Sequence, residues 1–243
     1  MRRPYWIPQH ASSYDFPPVD NALDHPDGLL AIGGDLSPKR LIVAYRRGIF
    51  PWYSEDQPIL WWSPSQRMIL FPNCLKVSRS LRKTLRQRVF TVTLDQKFGE
   101  VIDACAGPRS YQHGTWITPA MRTAYCQLHD YGLAHSVESW YAGQLVGGLY
   151  GVVLGKVFFG ESMFSRMSDA SKVAFSQLVW QLQRWGYQLI DCQVHTQHLQ
   201  SLGATNIPRK QYRALLDHLC EAPGYTGTWQ FESDIQKGEY FHE

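Results

Sequence analysis

Two apolar, strand-like segments of this chain each carry a carboxylate. Glu161 lies within residues 158–165, and Asp191 lies within residues 189–194, about one helix further along. Burial of a carboxylate without a partner is costly, so an acid in each of two apolar runs favours a functional site over a plain core. The alternative is that both acids lie at strand ends, where water or the next turn satisfies them. Both interpretations are open at this point.

The segment between these acids determines how they meet. Residues 157–164 and 187–194 are predicted to be strands, and residues 169–185 an amphipathic helix. This order predicts a β-α-β unit, whose right-handed crossover makes the two strands parallel. Ligands bind at the carboxyl ends of the strands in such arrangements.

Side-chain alternation predicts that the two acids converge on a cleft at that end. Successive side chains of a strand point to opposite faces. Each acid therefore shares a face with its second neighbours, which gives the sets Phe159, Glu161 and Met163, and Leu189, Asp191 and Gln193. A cleft with carboxylates above apolar residues suits a substrate that has an apolar end and an amine.

The region before the helix predicts an antiparallel meander. Residues 133–141, 144–154 and 157–164 are β-like and are separated by short glycine-containing turns. A meander followed by a helix and a parallel strand resembles the Gcn5-related N-acetyltransferase fold, so the predicted fold class is α+β. In that fold a glycine-rich loop before the helix holds the coenzyme A pyrophosphate. The loop at 165–170 has no glycine, which argues against acetyl-CoA.

The first part of the chain has a different composition. Residues 1–66 are rich in Pro, Gly and Trp and predict a small, irregular N-terminal domain around one helix. That helix begins at Ser37 and Pro38, an N-cap followed by proline at the first helical position, and it ends at Gly48. Residues 67–243 then form the larger, acetyltransferase-like domain. The aromatic clusters of the first domain either pack against the second or line a ligand groove, and they could do both.

Residues 76–88 contain six basic residues and no acid. Val77, Leu81 and Leu85 recur at four-residue spacing, which predicts a helix with an apolar seam and a cationic outer face. A charged run is usually a solvated face, but the absence of a balancing acid favours a phosphate-binding surface. The basic residues are Lys76, Arg79, Arg82, Lys83, Arg86 and Arg88.

Bulk composition narrows the class of protein without choosing one. The net charge of +3 permits nucleic-acid binding, and the nine Trp suit both a core and stacking sites. The five Cys show no close pairing, which favours a reducing compartment. A C-x2-H-x2-H spacing at 192–198 lacks a fourth ligand, so no metal is expected. With no apolar signal segment and no membrane-spanning stretch, we expect a cytoplasmic protein that binds no membrane.

Six short motifs are informative as an ordered set. They are GGDL at 33–36, RGIFPW at 47–52, WWSP at 61–64, GTWIT at 114–118, FGESMFS at 159–165 and IDCQ at 190–193. Together they resemble the motifs of the bacterial leucyl/phenylalanyl-tRNA–protein transferases. The resemblance implies a small N-terminal domain joined to an acetyltransferase-like domain, with no acetyl-CoA, metal or ATP.

The resemblance also implies a reaction. Such enzymes move Leu or Phe, and less well Met, from aminoacyl-tRNA to the α-amino group of proteins that begin with Lys or Arg. The product is marked for the bacterial N-end rule degradation pathway. Because the donor is already an activated ester, the enzyme must mainly position the amine, stabilise the oxyanion and manage a proton.

Asp191 and Gln193 are the predicted catalytic pair. Gln193 would orient the ammonium group through its carbonyl oxygen, and Asp191 would polarise that group or accept its proton. In a rival route the proton passes through the terminal ribose, and Asp191 only positions its neighbours. The sequence leaves both routes open.

The resemblance also implies substrate contacts. Trp52 and Trp116 would hold the 3′-terminal adenosine by stacking, and Tyr45 and Tyr125 are weaker candidates. Glu161 would hydrogen-bond the aminoacyl-adenosine end or the acceptor, and the basic helix would bind the acceptor-stem backbone. For most of the further substrate contacts, ordinary core packing is the alternative. These contacts are Leu149, Phe158, Met163, Ser165, Leu178 and Ile190.

Two other classes of function remain open. An acyl-CoA-dependent N-acyltransferase could use a similar fold, but the glycine-free loop disfavours it. A non-catalytic RNA-binding module would explain the basic helix and the Trp clusters. It would give no reason for Glu161 and Asp191.

Overall fold

A computed structural model describes residues 3–107 and 117–236 of the chain. Within them the protein is an α+β structure, as the sequence predicts, and its strands form two sheets. No helix in these residues is long and apolar enough to cross a membrane. The strands are β1 Tyr5–Ile7, β2 Leu29–Gly33, β3 Phe50–Pro51, β4 Leu60–Trp62, β5 Gln66–Leu70, β6 Thr91–Leu94, β7 Ala134–Tyr141, β8 Gln144–Leu154, β9 Val157–Ser165, β10 Leu189–Gln193 and β11 Thr205–Pro208. The helices are α1 Pro38–Arg46, α2 Arg79–Gln87, α3 Phe98–Ala106, α4 Pro119–Asp130, α5 Ala170–Arg184, α6 Gln197–Ser201, α7 Arg209–Leu219 and α8 Ser233–Gln236.

The N-terminal region contains a small sheet that the sequence did not predict. Its strand order is β1-β2-β4-β3, with β1 parallel to β2 and the other pairs antiparallel. The expectation that residues 1–66 are irregular around one helix is therefore wrong. Each of these strands has between two and five residues, too few to show an alternating pattern. The domain boundary at residue 66 stays a prediction.

The local signals for the first helix are confirmed. The Ser37 hydroxyl accepts a hydrogen bond from the Arg40 N–H, and Pro38 lies in the first turn. The chain leaves α1 through Gly48, whose φ of 71° is a conformation that glycine adopts at little cost. A Cβ at Gly48 would lie 2.9 Å from the Tyr212 ring. The glycine therefore also allows this turn to approach α7 closely.

The larger sheet has the strand order β11-β5-β10-β9-β8-β7-β6. The meander β7-β8-β9 is antiparallel, and β10 runs parallel to β9 after α5, which confirms the predicted β-α-β unit. Three strands that the sequence did not predict, β5, β6 and β11, extend this sheet. The antiparallel neighbour of β10 is β5, and this pairing brings Arg67 close to Asp191.

Helices cover both faces of the larger sheet. One face packs with α1, α3, α4 and α7 around a core that includes Tyr45, Tyr125 and Phe159. The other face packs with α2 and α5 around a core that includes Leu149 and Phe158. The adjacent residues Phe158 and Phe159 thus enter opposite cores, as alternation in a strand requires.

A β-bulge interrupts this alternation at Glu161. The register of β9 against β8 shifts at this point, so that Glu161 is an extra residue in β9. Met163 therefore packs with the second core, whereas Phe159 packs with the first. The prediction that Phe159, Glu161 and Met163 share one face is wrong for Met163, because the bulge shifts the phase of the strand.

The predicted basic helix is present as α2. The Ser78 hydroxyl accepts a hydrogen bond from the Leu81 N–H, and Leu81 and Leu85 are buried. All six basic residues of this segment are exposed. The sequence pattern therefore predicted both the apolar seam and the cationic outer face.

Candidate active site

A cavity opens where the ladder between the two parallel strands ends. The last paired residues of β9 and β10 are Phe159 and Asp191. Beyond this pair lies a cavity of about 410 Å³ at the carboxyl ends of the strands, where ligands bind in such arrangements. Its lining combines a polar wall with an apolar one. The polar wall includes Glu161, Asp191 and Gln193, and the apolar wall includes Leu149, Phe158, Met163, Phe175 and Ile190.

Asp191 is fully buried and has a complete set of hydrogen-bond donors. Its Oδ1 accepts from Arg67 Nε at 2.8 Å and from the Gln193 backbone N–H at 2.8 Å. Its Oδ2 accepts from Arg67 Nη2 at 2.6 Å and from the Tyr212 hydroxyl at 2.8 Å. A carboxylate has about four acceptor positions, so Asp191 has none left for a substrate.

The Arg67 guanidinium lies between two aromatic rings. Its central carbon is 4.5 Å from the Phe50 ring centroid and 4.9 Å from that of Tyr212. The sequence pattern did not single out Arg67 and Tyr212 as parts of the site. The signal for Arg67 was available, because it is a charged residue beside the apolar run 68–70, just as the two acids lie in apolar runs.

Gln193 connects the two carboxylates. Its φ of 60° is unusual for a residue other than glycine, and the register of β10 against β5 shifts between Asp191 and Gln193. The backbone N–H of Gln193 binds Asp191, and its Nε2 donates to Glu161 Oε1 at 3.0 Å. Gln193 lines the cavity, and none of the described residues donates a hydrogen bond to its side-chain oxygen, which can therefore act as an acceptor there.

Glu161 is held by two tyrosine hydroxyls. The Tyr45 hydroxyl donates to Oε1 at 2.8 Å, and the Tyr125 hydroxyl lies 2.7 Å from Oε2. Burial raises the pKa of Glu161 to about 7, against the lowering effect of the two hydroxyls. Burial likewise raises the pKa of both tyrosines well above the usual range. Glu161 can therefore gain or lose a proton near neutral pH, whereas the tyrosines stay protonated.

The structure brings several predicted substrate contacts to the cavity. Trp52 lies on its lining and is 46% exposed, so its ring is available for stacking. Leu149, Phe158, Met163 and Ile190 line the apolar wall, as described above. Phe175 on α5 belongs to this wall and was not predicted as a site residue. Trp116 lies outside the described residues.

Four other predicted contacts lie elsewhere or act differently. Leu178 is fully buried in the core of α5 and does not line this cavity. Ser165 does not line it either, and its hydroxyl donates to the Met167 carbonyl at 2.8 Å. Tyr45 and Tyr125 are fully buried, which leaves no ring face for an adenine, and their hydroxyls bind Glu161 instead.

The sequence also made predictions about the basic residues, the cysteines and metal binding. Within the described ranges, none of the six basic residues of the 76–88 segment forms an ion pair. None of the cysteines in the described residues forms a disulfide. In the same ranges, no group of three His, Cys, Asp or Glu side chains could hold a metal ion.

Comparison with known proteins agrees with this geometry. Residues 69–217 match the family described as "Leucyl/phenylalanyl-tRNA protein transferase", and residues 34–65 match that family's N-terminal domain. The chain belongs to this family. It is therefore an aminoacyltransferase, and neither alternative, the acyl-CoA enzyme nor the RNA-binding module, describes this family.

Individual relatives of this transferase align over nearly the whole chain. The leucyl/phenylalanyl-tRNA–protein transferase of Azotobacter vinelandii is 61% identical over 217 residues, covering 89% of this chain and 96% of that protein. That of Aromatoleum aromaticum is 60% identical over 236 residues, covering 97% and 99%. Among solved structures, that of L-PGS from Bacillus licheniformis is 11% identical with a TM-score of 0.39, covering 86% of this chain and 64% of that chain.

Proposed function

We propose that this transferase moves Leu or Phe, and less well Met, from aminoacyl-tRNA to the α-amino group of proteins that begin with Lys or Arg. The peptide bond that forms marks those proteins for N-end rule degradation. The partners are thus an aminoacyl-tRNA and an acceptor protein, with no cofactor, metal or membrane. A tRNA substrate, together with cysteines that form no disulfide within the described residues, favours a cytoplasmic location.

One observation carries this proposal, namely the two-sided lining of the cavity. The apolar wall of Leu149, Met163 and Phe175 suits an uncharged, flexible or aromatic side chain such as that of Leu, Met or Phe. The opposite wall presents Glu161 and the free oxygen of Gln193, which suit an amine. An aminoacyl group and an attacking α-amino group need these two environments side by side.

The order of elements supports a division into an acetyltransferase-like domain at 67–243 and an N-terminal domain at 1–66. The meander β7-β8-β9, the helix α5 and the parallel strand β10 follow one another as in the Gcn5-related fold. The loop before α5 has no glycine to receive a pyrophosphate. The proposed donor is therefore the tRNA ester and not an acyl-CoA.

Within the reaction, Gln193 orients the amine and Asp191 positions Gln193. The free side-chain oxygen of Gln193 accepts a hydrogen bond from the ammonium group. Asp191 is saturated by Arg67, Tyr212 and the Gln193 N–H, so it fixes the backbone of Gln193 and takes no substrate proton. Of the two roles that the sequence leaves open for Asp191, the geometry favours positioning.

The RNA contacts divide into stacking and backbone neutralisation. Trp52, exposed at the cavity, stacks on the 3′-terminal adenosine, together with Trp116. The exposed basic residues on and beside α2 bind acceptor-stem phosphates, because they are exposed and form no ion pair with the described residues. Binding of this kind weakens as the salt concentration rises.

Transfer of radiolabelled Leu from Leu-tRNA tests the proposed function. We expect label on a protein that begins with Arg and none on a matched protein that begins with Ala. Ribonuclease treatment of the donor should abolish the signal, and acetyl-CoA offered in place of the tRNA should give no acetylated product. Equal label on both acceptors would overturn the N-terminal specificity, and label on neither would overturn the proposed reaction.

A further inference from the structure

Three short O···O contacts join the Glu161 carboxyl group and the hydroxyls of Tyr45 and Tyr125. The Tyr45 hydroxyl is 2.8 Å from Glu161 Oε1, the Tyr125 hydroxyl is 2.7 Å from Oε2, and the two hydroxyls are 2.7 Å from each other. Distances of this length are those of O–H···O hydrogen bonds, each of which needs one proton. The carboxyl group and the two hydroxyls therefore form a closed ring of hydrogen bonds.

The number of protons in this ring determines the state of Glu161. The two tyrosine hydroxyls supply two protons for three contacts. If Glu161 were ionised, one contact would have no proton, and lone pairs on its two oxygen atoms would face each other. A protonated Glu161 supplies the third proton, and every contact is then satisfied. The ring geometry thus assigns a neutral carboxylic acid to Glu161 in the free protein.

The surroundings of the ring are consistent with that state. The charged and titratable groups that face Glu161 are Tyr45 on α1, Tyr125 on α4, Asp191 on β10 and Arg67 on β5. Among the described residues, no cation is bonded to Glu161, since Arg67 is engaged by Asp191. Burial and the negative charge of Asp191 both favour the neutral acid.

We propose that Glu161, closed into a ring with Tyr45 and Tyr125, transfers the proton in the aminoacyl-transfer reaction. This inference rests on the proposed function, which supplies an amine and an ester at the cavity that Glu161 lines. The acceptor enters as the neutral amine after its ammonium proton has passed to solvent. Glu161 then acts on the reacting atoms, and Asp191 does not.

The step is balanced in atoms and charge. A bond forms between the amine nitrogen and the ester carbonyl carbon, and one N–H bond breaks as its proton passes to the Glu161 carboxyl group. The ester C–O bond breaks with its electron pair going to the ribose oxygen. That oxygen takes the proton that Glu161 carried, so the acid ends in its starting state.

The two tyrosines make this exchange possible at one carboxyl group. Because Oε1 already accepts from Tyr45 and from Gln193 Nε2, both proton transfers with the substrate take place at Oε2, and the two hydroxyls stabilise the carboxyl group between them. Tyrosine hydroxyls can both donate and accept, which a guanidinium or backbone N–H cannot do.

The pH dependence of transfer in Glu161→Gln tests the proposal. With acceptor below saturation, the wild-type rate should rise as the α-amine loses its proton and fall as Glu161 ionises. Gln keeps the size and neutrality of the acid but cannot exchange a proton. We expect the maximum rate to fall by about 10²–10⁴-fold, and the decline at high pH to disappear, while aminoacyl-tRNA binding is retained.

A second variant separates a proton-transfer role from a structural one. Tyr125→Phe opens the ring and removes the contact that an ionised Glu161 leaves without a proton, so the decline in rate should move away from its wild-type pH. Either variant overturns the proposal if its pH profile matches that of the wild type. If the wild type itself transfers no Leu, the proposed function fails, and that failure is visible without either variant.

Infrared spectroscopy of the protein near pH 6 tests the ring without relying on activity. The wild type should show the C=O stretch of a protonated carboxyl group that is absent from Glu161→Gln. Glu138→Gln is the matched control, because Glu138 is another buried acid whose pKa burial raises. If the wild type and Glu161→Gln have the same carboxyl bands, the proposal is overturned.

Discussion

The two acids at the ends of the parallel strands are both buried, yet their partners differ in kind. Asp191 is bound by the Arg67 guanidinium, a backbone N–H and one hydroxyl. Glu161 is bound by two tyrosine hydroxyls and an amide. Three of the four donors to Asp191 belong to groups that cannot accept a proton. The two hydroxyls at Glu161 can give or take one.

This difference teaches that burial alone does not determine the charge of an acid. The Arg67 guanidinium is the counter-ion of Asp191, which agrees with the positioning role proposed for Asp191. The partners of Glu161 are neutral, so burial raises its pKa to about 7, which suits the proton transfer proposed for it. Glu161 and Asp191 are chemically similar and lie two positions apart in the register of the parallel strands. The different roles proposed for them follow from their different hydrogen-bonding partners.

Removal of the charged partner should have the largest effect on stability. Arg67→Ala leaves Asp191 buried without its counter-ion, which we expect to lower the free energy of unfolding by about 3–5 kcal/mol. Tyr125→Phe, which removes one neutral donor at Glu161, should cost about 0.5–1.5 kcal/mol. Urea denaturation at neutral pH measures both. A smaller loss for Arg67→Ala than for Tyr125→Phe would contradict the comparison.

The change of stability with pH at Glu161 should be somewhat smaller than the loss of stability in Arg67→Ala. The pKa of Glu161 in the folded protein, about 7, lies above its ordinary value of 4.5. Between those values the folded state holds a proton that the unfolded chain releases, so this stabilisation is complete below about pH 4.5 and is lost as the pH rises to about 7. The loss amounts to about 3 kcal/mol.

Comparison of wild type with Glu161→Gln isolates this effect, because the other titrating groups are shared. The difference in unfolding free energy between the two proteins should change across the acidic window and stay constant above pH 7. Urea denaturation at several pH values measures it. A constant difference from pH 4.5 to 7 would show that Glu161 has an ordinary pKa in the folded state.

The sequence predicted the elements whose signals are local. The Ser-Pro start of α1 is a cap signal that needs no tertiary information. The β9-α5-β10 unit is long and periodic, and it places Glu161 and Asp191 beside one cavity as expected. The four strands of the N-terminal sheet are too short for periodicity and depend on distant partners.

The partners of the two acids could not be predicted for the same reason. Arg67 and Tyr212 are separated from Asp191 by 124 and 21 residues along the chain, and Tyr45 is separated from Glu161 by 116. No local spacing links such residues. Because these partners bear on which acid exchanges a proton, the sequence left open whether Asp191 accepts the proton or only positions its neighbours.

The smallest effect concerns Gln193, the residue that joins the two acids. Gln193→Ala and Gln193→Gly both remove the amide that binds Glu161, so both should lower the rate of transfer to the same extent. They should differ in stability, because a φ of 60° is costly for alanine and not for glycine. We expect the glycine variant to be about 1 kcal/mol more stable than the alanine variant in urea denaturation. Equal stability would mean that Asp191 does not hold this backbone in its left-handed conformation, and the positioning role proposed for Asp191 would then be wrong.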